Sequence, residues 1–323
     1  MKKILLALLA FTVVFISSCT GVSKTKKIGV IQLVDHPSLN TIYENIVSEL
    51  KVNNYNEDDI LFINASGDMS NVQTAVNTMY TNSVEVVIAI TTPVAQASFD
   101  LAKHKPVIFS AVTDPVAAGL LDDLDFPNNN ITGTSDAISV AGIMDNALLF
   151  DSTIQSIGYI YNPNESNSVS NMKKLKLYCT NKNITLNSRT IYSSTDITLA
   201  VQSLAKNSDA LFVTNDNTVA EGMKILANEA IKLKKMVFVG ADSMVKDGGL
   251  ATLGIDYAEL GKETARQAVQ VLDGTDIKDI PVKVFDTNLN TYVNLDTAEA
   301  LGIIVPFSIT SGEKYIPVRT IRS

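Results

Sequence analysis

Short apolar runs rich in Val, Ile and Ala recur along the chain and alternate with longer stretches whose apolar positions are three or four residues apart. The first pattern predicts buried strands and the second amphipathic helices. Lys27–Leu33 (KIGVIQL) predicts a strand, and the turn-like Asp35-His36-Pro37-Ser38 ends it. Leu39 to Leu50 then places Ile42, Ile46, Val47 and Leu50 on one helical face. Further strands are predicted at Ile60–Asn64, Glu85–Ile90, Pro106–Ser110 and Asn130–Gly133, with helices over Ser70–Met79 and from Pro93, a favoured first-turn residue. Past Thr134 the rhythm restarts. Strands are predicted at Ser156–Tyr161, Ile184–Tyr192, Ala210–Thr214 and Met236–Gly240, and helices at Ser166–Asn181, Asp196–Ala205 and Thr218–Leu233. Each half opens on Ile-Gly-(Val/Tyr)-Ile, at Ile28 and at Ile157. Alternation predicts an α/β fold with helices on both faces of a parallel sheet, and its repetition predicts two such lobes with a cleft between them.

The N-terminal 26 residues do not follow this rhythm. Lys2-Lys3 precedes an apolar run from Ile4 to Ile16, which is of signal-peptide length and too short to span a bilayer. The run ends in Ile16-Ser17-Ser18-Cys19, which resembles the bacterial lipobox. Residues 1–18 therefore read as a lipoprotein signal peptide, Cys19 as the lipidated residue and residues 19–26 as a flexible tether. The expected location is the outer face of the cell membrane, with the lipid as sole anchor.

Composition narrows the function. The formal charge is −8, and loss of the two lysines of residues 1–18 takes the mature chain to −10. An acidic surface repels phosphate backbones, so nucleic acid is not an expected partner. Two cysteines, two histidines and no tryptophan give neither a disulfide framework nor a Cys/His metal cage, and no cofactor is expected. Cys179 falls on the apolar face of a predicted helix and reads as an inert buried thiol.

Candidate chemistry gathers after the strands, because ligands of open α/β sheets sit beyond the carboxyl ends of the strands. Gln32, His36 and Ser38 follow the first strand, Thr91 and Thr92 the third, Thr113 and Asp114 the fourth. In the second half, Ser166, Asn167, Asp216 and Asn217 hold equivalent places, and Asp256 lies where the chain leaves its last strand. Hydroxyls, amides and helix N-termini suit a carboxylate, and an aspartate suits an ammonium, so the set points to a small zwitterion. Each such residue is also a good helix cap. Asp216 is the first candidate for the ammonium and Asp256 the second. Tyr43, Tyr161 and Tyr257 are candidate walls for an aromatic side chain.

Several of these segments in order, Gln32–Leu39, Thr92-Pro93-Val94-Ala95-Gln96, Ala111-Val112-Thr113-Asp114-Pro115, Asn162–Ser168, Asp216-Asn217-Thr218 and Gly248–Thr252, resemble the solute-binding lipoproteins of ABC transporters that include tryptophan- and tyrosine-binding components. The resemblance runs from Lys27 to about Val305. It implies the type I periplasmic-binding-protein fold, an amino acid, often aromatic, as solute, and partnership with a permease that has a separate ATPase. It also implies a three-strand hinge, with residues 27–133 and 257–280 in lobe 1, residues 134–256 and 281–323 in lobe 2, and crossings near Gly133, after Asp256 and near Pro281.

Other classes fare worse. His36 and Ser38 could be drawn into a triad, but no G-x-S-x-G elbow accompanies them, and neither G-x-G-x-x-G after the first strand nor a P-loop is present. An enzyme is therefore not expected. A regulator of this build would carry a DNA-binding motif where the lipid anchor stands. A ligand-sensing lipoprotein, or one that takes a nucleoside or a sugar, is the alternative.

Overall fold

The computed structural model describes residues 27–320. The signal peptide, Cys19 and the tether lie outside the described residues. Lobe 1 is laid down as β1 (Ile28–Gln32), α1 (Pro37–Val52), β2 (Ile60–Asn64), α2 (Met69–Thr81), β3 (Val86–Ile90), α3 (Thr92–Ala97), β4 (Val107–Ser110) and β5 (Ile131–Ser135). Lobe 2 follows as α4 (Val140–Phe150), β6 (Ser156–Tyr161), α5 (Ser166–Lys182), β7 (Thr185–Thr190), α6 (Ile197–Ala205), β8 (Ala210–Val213), α7 (Asn217–Glu221), α8 (Met223–Lys232), β9 (Met236–Val239), α9 (Asp242–Lys246) and β10 (Ala251–Gly254). The chain then returns to lobe 1 for α10 (Tyr257–Leu272) and β11 (Lys283–Val284). It ends in lobe 2 with β12 (Asn290–Asn294), α11 (Leu295–Leu301), α12 (Phe307–Thr310) and β13 (Tyr315–Val318).

The sheet of lobe 1 has the order β2-β1-β3-β4-β5-β11 and is parallel throughout. Its β1 and β3 are buried at every position, as continuous apolar runs require when helices cover both faces. The α1 face of Leu39, Ile42, Ile46, Val47 and Leu50 is buried as the spacing predicts, at about 1.5–3 kcal/mol for each large aliphatic side chain. The sheet of lobe 2 has the order β7-β6-β8-β9-β10-β12-β13, parallel except where β12 runs against β10. That reversal follows from the route of the chain. It re-enters lobe 2 from the hinge side, so Asn290 starts opposite Gly254, the last residue of β10.

Three expectations need correction, and one helix was not among the predicted elements. The third crossing falls after Val284 instead of near Pro281, because Lys283 and Val284 pair with Thr134 and Ser135 and so extend the lobe 1 sheet. The same pairing keeps β5 in lobe 1 through Ser135, beyond the boundary expected at Gly133. The single helix predicted over Thr218–Leu233 is two, broken at Gly222, where a Cβ would lie 2.3 Å from Ile197 Cδ1 of the helix alongside. The helix α4 was not anticipated; its sequence is apolar enough to hide its own periodicity.

One glycine sets the packing of lobe 1. Gly261 lies within α10, and a Cβ there would sit 2.5 Å from the Ile42 carbonyl oxygen of α1. Gly to Ala within a helix ordinarily stabilises by roughly 0.5–1 kcal/mol. Here backbone meets backbone and neither helix can yield locally, so the sign should reverse. Gly261→Ala is expected to destabilise by about 1–3 kcal/mol, read as a lower denaturant midpoint with an unchanged slope.

Candidate functional site

The strand ends of both lobes and the start of α10 enclose a narrow cleft with a free volume of about 40 Å³. From lobe 1 come His36, Ser38 and Leu39 of the β1–α1 segment, Thr91 and Thr92 after β3, and Ala111 and Thr113 after β4. From lobe 2 come Asn167 at the start of α5, Asn215, Asp216 and Asn217 after β8, Ala220 of α7, and Ala241 and Met244 after β9. Asp136, just past β5 at the first crossing, and Tyr257, the first residue of α10, complete the wall.

Two cleft residues carry unusual backbone. Thr91 has φ 91° and Ala111 φ 55°, values that non-glycine residues adopt rarely. Each directly follows a fully buried strand, and such strain costs about 1–3 kcal/mol and clusters at ligand sites. The cleft also holds three buried polar atoms with no hydrogen-bond partner among the described residues: His36 Nε2, Thr91 Oγ1 and Asn167 Oδ1. Groups left this way in a protein interior are costly unless a ligand or water completes them.

Asp136 is the centre of the polar network. It is only 4% exposed, and its Oδ1 accepts from Thr113 Oγ1 at 2.8 Å. Its Oδ2 accepts from Asn215 Nδ2 at 2.7 Å and from the Tyr257 hydroxyl at 3.3 Å. The Asn215 amide also donates to Thr113 Oγ1 at 2.8 Å, so one side chain of lobe 2 binds two of lobe 1 and the crossing. No Lys, Arg or His pairs with Asp136 among the described residues. Burial pushes its carboxyl up to about 6, against the opposing effect of the three donors. Burial and the adjacent Asp136 likewise hold the Tyr257 hydroxyl well above its usual range, so it stays protonated.

The predicted residues divide. His36, Ser38, Thr91, Thr92, Thr113, Asn167, Asp216 and Asn217 line the cleft; Gln32, Asp114, Ser166 and Asp256 do not. Gln32 donates to Val34 O and Asn40 Oδ1, which shapes the turn before α1. Asp114 and Ser166 tie the lobes together outside the cleft: Ser170 Oγ donates to Asp114 Oδ2, and Ser166 Oγ donates to Gln96 Oε1 at 3.3 Å. Asp256 caps α10 by accepting from the Ala258 and Glu259 amides, and it faces solvent. Asp216 touches the cleft but is committed within lobe 2. Its oxygens accept from Asn162 N at 2.6 Å, Ser168 Oγ at 2.7 Å and Val219 N at 2.9 Å. Burial and the nearby Glu165 carboxylate raise its pKa. Asn217 is held by Glu165, to which it donates at 2.6 Å from its side chain and 3.0 Å from its amide. Of the tyrosines only Tyr257 reaches the cleft. Tyr43 stacks on Phe62 at 4.0 Å and Tyr161 on Tyr159 at 5.3 Å.

Asp136 and Asn215 are not among the predicted site residues, although Asp136 directly follows β5 and Asn215 is the second residue after β8. The signal was available in Gly133-Thr134-Ser135-Asp136 and Thr214-Asn215-Asp216, but the choice among adjacent polar residues needed the strand register.

Two lobes closed over a cleft lined by strand ends, helix starts and a buried carboxylate make a solute-binding protein of the type I periplasmic-binding-protein fold. A family model described as ABC transporter substrate binding protein matches residues 27–313, and the chain belongs to that family. A tyrosine-binding protein of Clostridioides difficile (strain R20291) is 34% identical over 285 residues, which are 87% of this chain and 82% of that protein. Among solved structures, an ABC domain from Streptococcus pneumonia in complex with L-Trp is 34% identical and superposes with a TM-score of 0.86 over 90% of this chain and 100% of that one. The ligand-free, open structure of a substrate-binding protein with adhesive properties from Clostridium difficile is 35% identical and superposes with a TM-score of 0.71 over 92% of this chain and all of that one. The better agreement with the complex accords with hydrogen bonds across the cleft here, among them Ser38 Oγ to Ser243 Oγ at 2.7 Å.

The raised pKa of Asp136 has a consequence for stability. The folded protein holds a proton on this group up to about pH 6, while the unfolded chain releases it near 3.8. Between those values the native state binds more protons, so the contribution is present below 3.8 and is lost as pH rises through about 6. Its full size is roughly 3 kcal/mol. Without ligand, wild type should lose thermal stability between pH 4 and 7 more steeply than Asp136→Asn. Parallel melting curves for the two across that range provide the check.

Proposed function

We propose that this protein is a lipid-anchored, extracytoplasmic receptor of an ABC importer that captures an aromatic amino acid between its lobes and passes it, unaltered, to the permease. The observation that carries the amino-acid reading is Asp136, a buried carboxylate with no cationic partner among the described residues, set in the cleft where both lobes meet. An α-ammonium supplies the missing positive charge and keeps the carboxylate ionised. This reading assigns the solute carboxylate to Thr91, Thr92 and the N-terminal turn of α5, where, among the described residues, Thr91 Oγ1 has no partner and no side chain caps the helix. In this reading the ring lies against Leu39, Ala111, Ala220, Ala241 and Met244, an apolar lining of small or flexible side chains that can adjust to it. The relatives named above, one a tyrosine-binding protein and one in complex with L-Trp, support the same class of solute.

Closure belongs to this reading. Asn215 reaches Asp136 and Thr113 from the other lobe, and Ser38 reaches Ser243, so a solute bound to one lobe is enclosed once these bonds form. Isothermal titration of ligand-free protein should give saturable binding of L-tyrosine or L-tryptophan and none of a hexose. Removal of one side of a desolvated charge pair costs about 2–5 kcal/mol, so Asp136→Asn should weaken binding by about thirtyfold or more. Asp216→Asn should lower the melting temperature and leave affinity within a few fold. If these two variants exchanged behaviour, the ammonium would belong to Asp216.

Anchoring is proposed through Cys19. Two or three acyl chains at one residue hold a protein far more firmly than one. Cells that express wild type should incorporate a palmitate analogue into the protein, and Cys19→Ala should abolish the label.

A further inference from the structure

Of the three unpartnered polar atoms in the cleft, Thr91 Oγ1 and Asn167 Oδ1 stand at the strand end and helix start assigned above to the zwitterion. His36 Nε2 is the third such atom, on a different segment. It belongs to the β1–α1 segment, next to Leu39 and beside α9 of the opposite lobe, where Ala241 and Met244 extend the apolar wall and the Ser38–Ser243 hydrogen bond closes the junction. We infer that His36 Nε2 forms a hydrogen bond to the polar atom of the solute's aromatic side chain, an indole N–H or a phenol O–H, and thereby selects such rings over the phenyl ring of phenylalanine. The inference rests on the aromatic amino-acid reading and sharpens it.

The reasoning is one of unpaired groups. An apolar slot alone separates similar rings weakly, because an added or missing small group changes little. A buried polar atom that a correct ligand satisfies and a wrong one leaves bare discriminates far more strongly. His36 is suited to that task. Burial lowers its pKa, although Asp247, Asp242 and Asp35 act in the opposite sense, so the imidazole stays neutral and keeps one ring nitrogen as an acceptor. Tyrosine and tryptophan both carry a ring-side donor for that nitrogen; phenylalanine carries none. His36 also precedes α1 without a side-chain capping bond, since Pro37 begins the helix, so its imidazole is not needed to start the helix.

Titration calorimetry of wild type, His36→Leu and His36→Ala against L-tryptophan, L-tyrosine and L-phenylalanine tests the inference, with a melting curve of each variant. Wild type should prefer the better of tryptophan and tyrosine over phenylalanine by tenfold or more. In both variants that ratio should fall to within about threefold, because the preferred ligand loses its acceptor while phenylalanine no longer leaves a buried ring nitrogen bare. His36→Ala serves the same purpose should the bulkier leucine fail to fold. Wild-type binding of phenylalanine as tight as that of the other two would overturn the inference. So would retention of the full preference in the variants, or an equal loss for all three ligands, which would put the nitrogen on the shared zwitterion. If no aromatic amino acid bound wild type, the parent reading would fall as well, an outcome distinct from each of these.

Discussion

A carboxylate buried at the junction of two lobes must find its hydrogen-bond donors there, and Asp136 finds them on three different elements. Thr113 follows β4, Asn215 follows β8 of the opposite lobe, and Tyr257 begins the helix that brings the chain back. Left without them, the group would cost far more than a typical interaction contributes. This charge thus joins the bonds of Ser38 to Ser243 and of Ser170 to Asp114 in fixing how the lobes meet. The same charge, raised toward neutrality by its surroundings, is poised to respond when a cation enters the cleft.

Around that centre, polar residues of the same chemical types have different fates. Asp216, Glu165 and Asn217 form a closed set that begins α7 and binds it to β6 and α5. Asp256 does the same for α10 alone. Thr91, His36 and Asn167 retain atoms that the protein itself leaves unsatisfied. The difference lies in whether the side chain caps the helix that follows it. Asp216 and Asp256 turn their carboxylates onto the amides of the helices they precede, whereas Thr91 and His36 stand at equivalent helix starts, each with a proline at the helix N-terminus, and form no side-chain cap. Strain at Thr91 and Ala111 belongs to the same design, since it is held by the buried strands β3 and β4 that precede these residues.

Much of this organisation is legible in the residue order. Apolar runs of strand length and helical spacing depend on neighbours three or four positions away, and burial then follows for any sheet covered on both faces. The duplicated rhythm marked out two α/β lobes, and the strand ends marked out the region of the cleft, where eight of the twelve named residues lie. Boundaries suffered where local pattern and tertiary contact disagree. Lys283-Val284 reads like any short segment of the return path, and only its pairing with Thr134 and Ser135 makes it a strand of lobe 1.

What the sequence determined by itself was therefore local: strand and helix identity, the tandem halves, the turns after the strands and the chemical types gathered there. Tertiary structure alone decided which aspartate is bonded across the cleft and which caps a helix. Asp136 and Asp216 both follow strands, and their neighbours in sequence are equally polar. They differ because Asp216 meets the amides of Asn162 and Val219 while Asp136 meets an amide side chain from the other lobe and two hydroxyls. Those partners lie as much as 121 residues apart in the chain, beyond the reach of any local pattern, and they are set only when the strands have taken their register and the lobes have met.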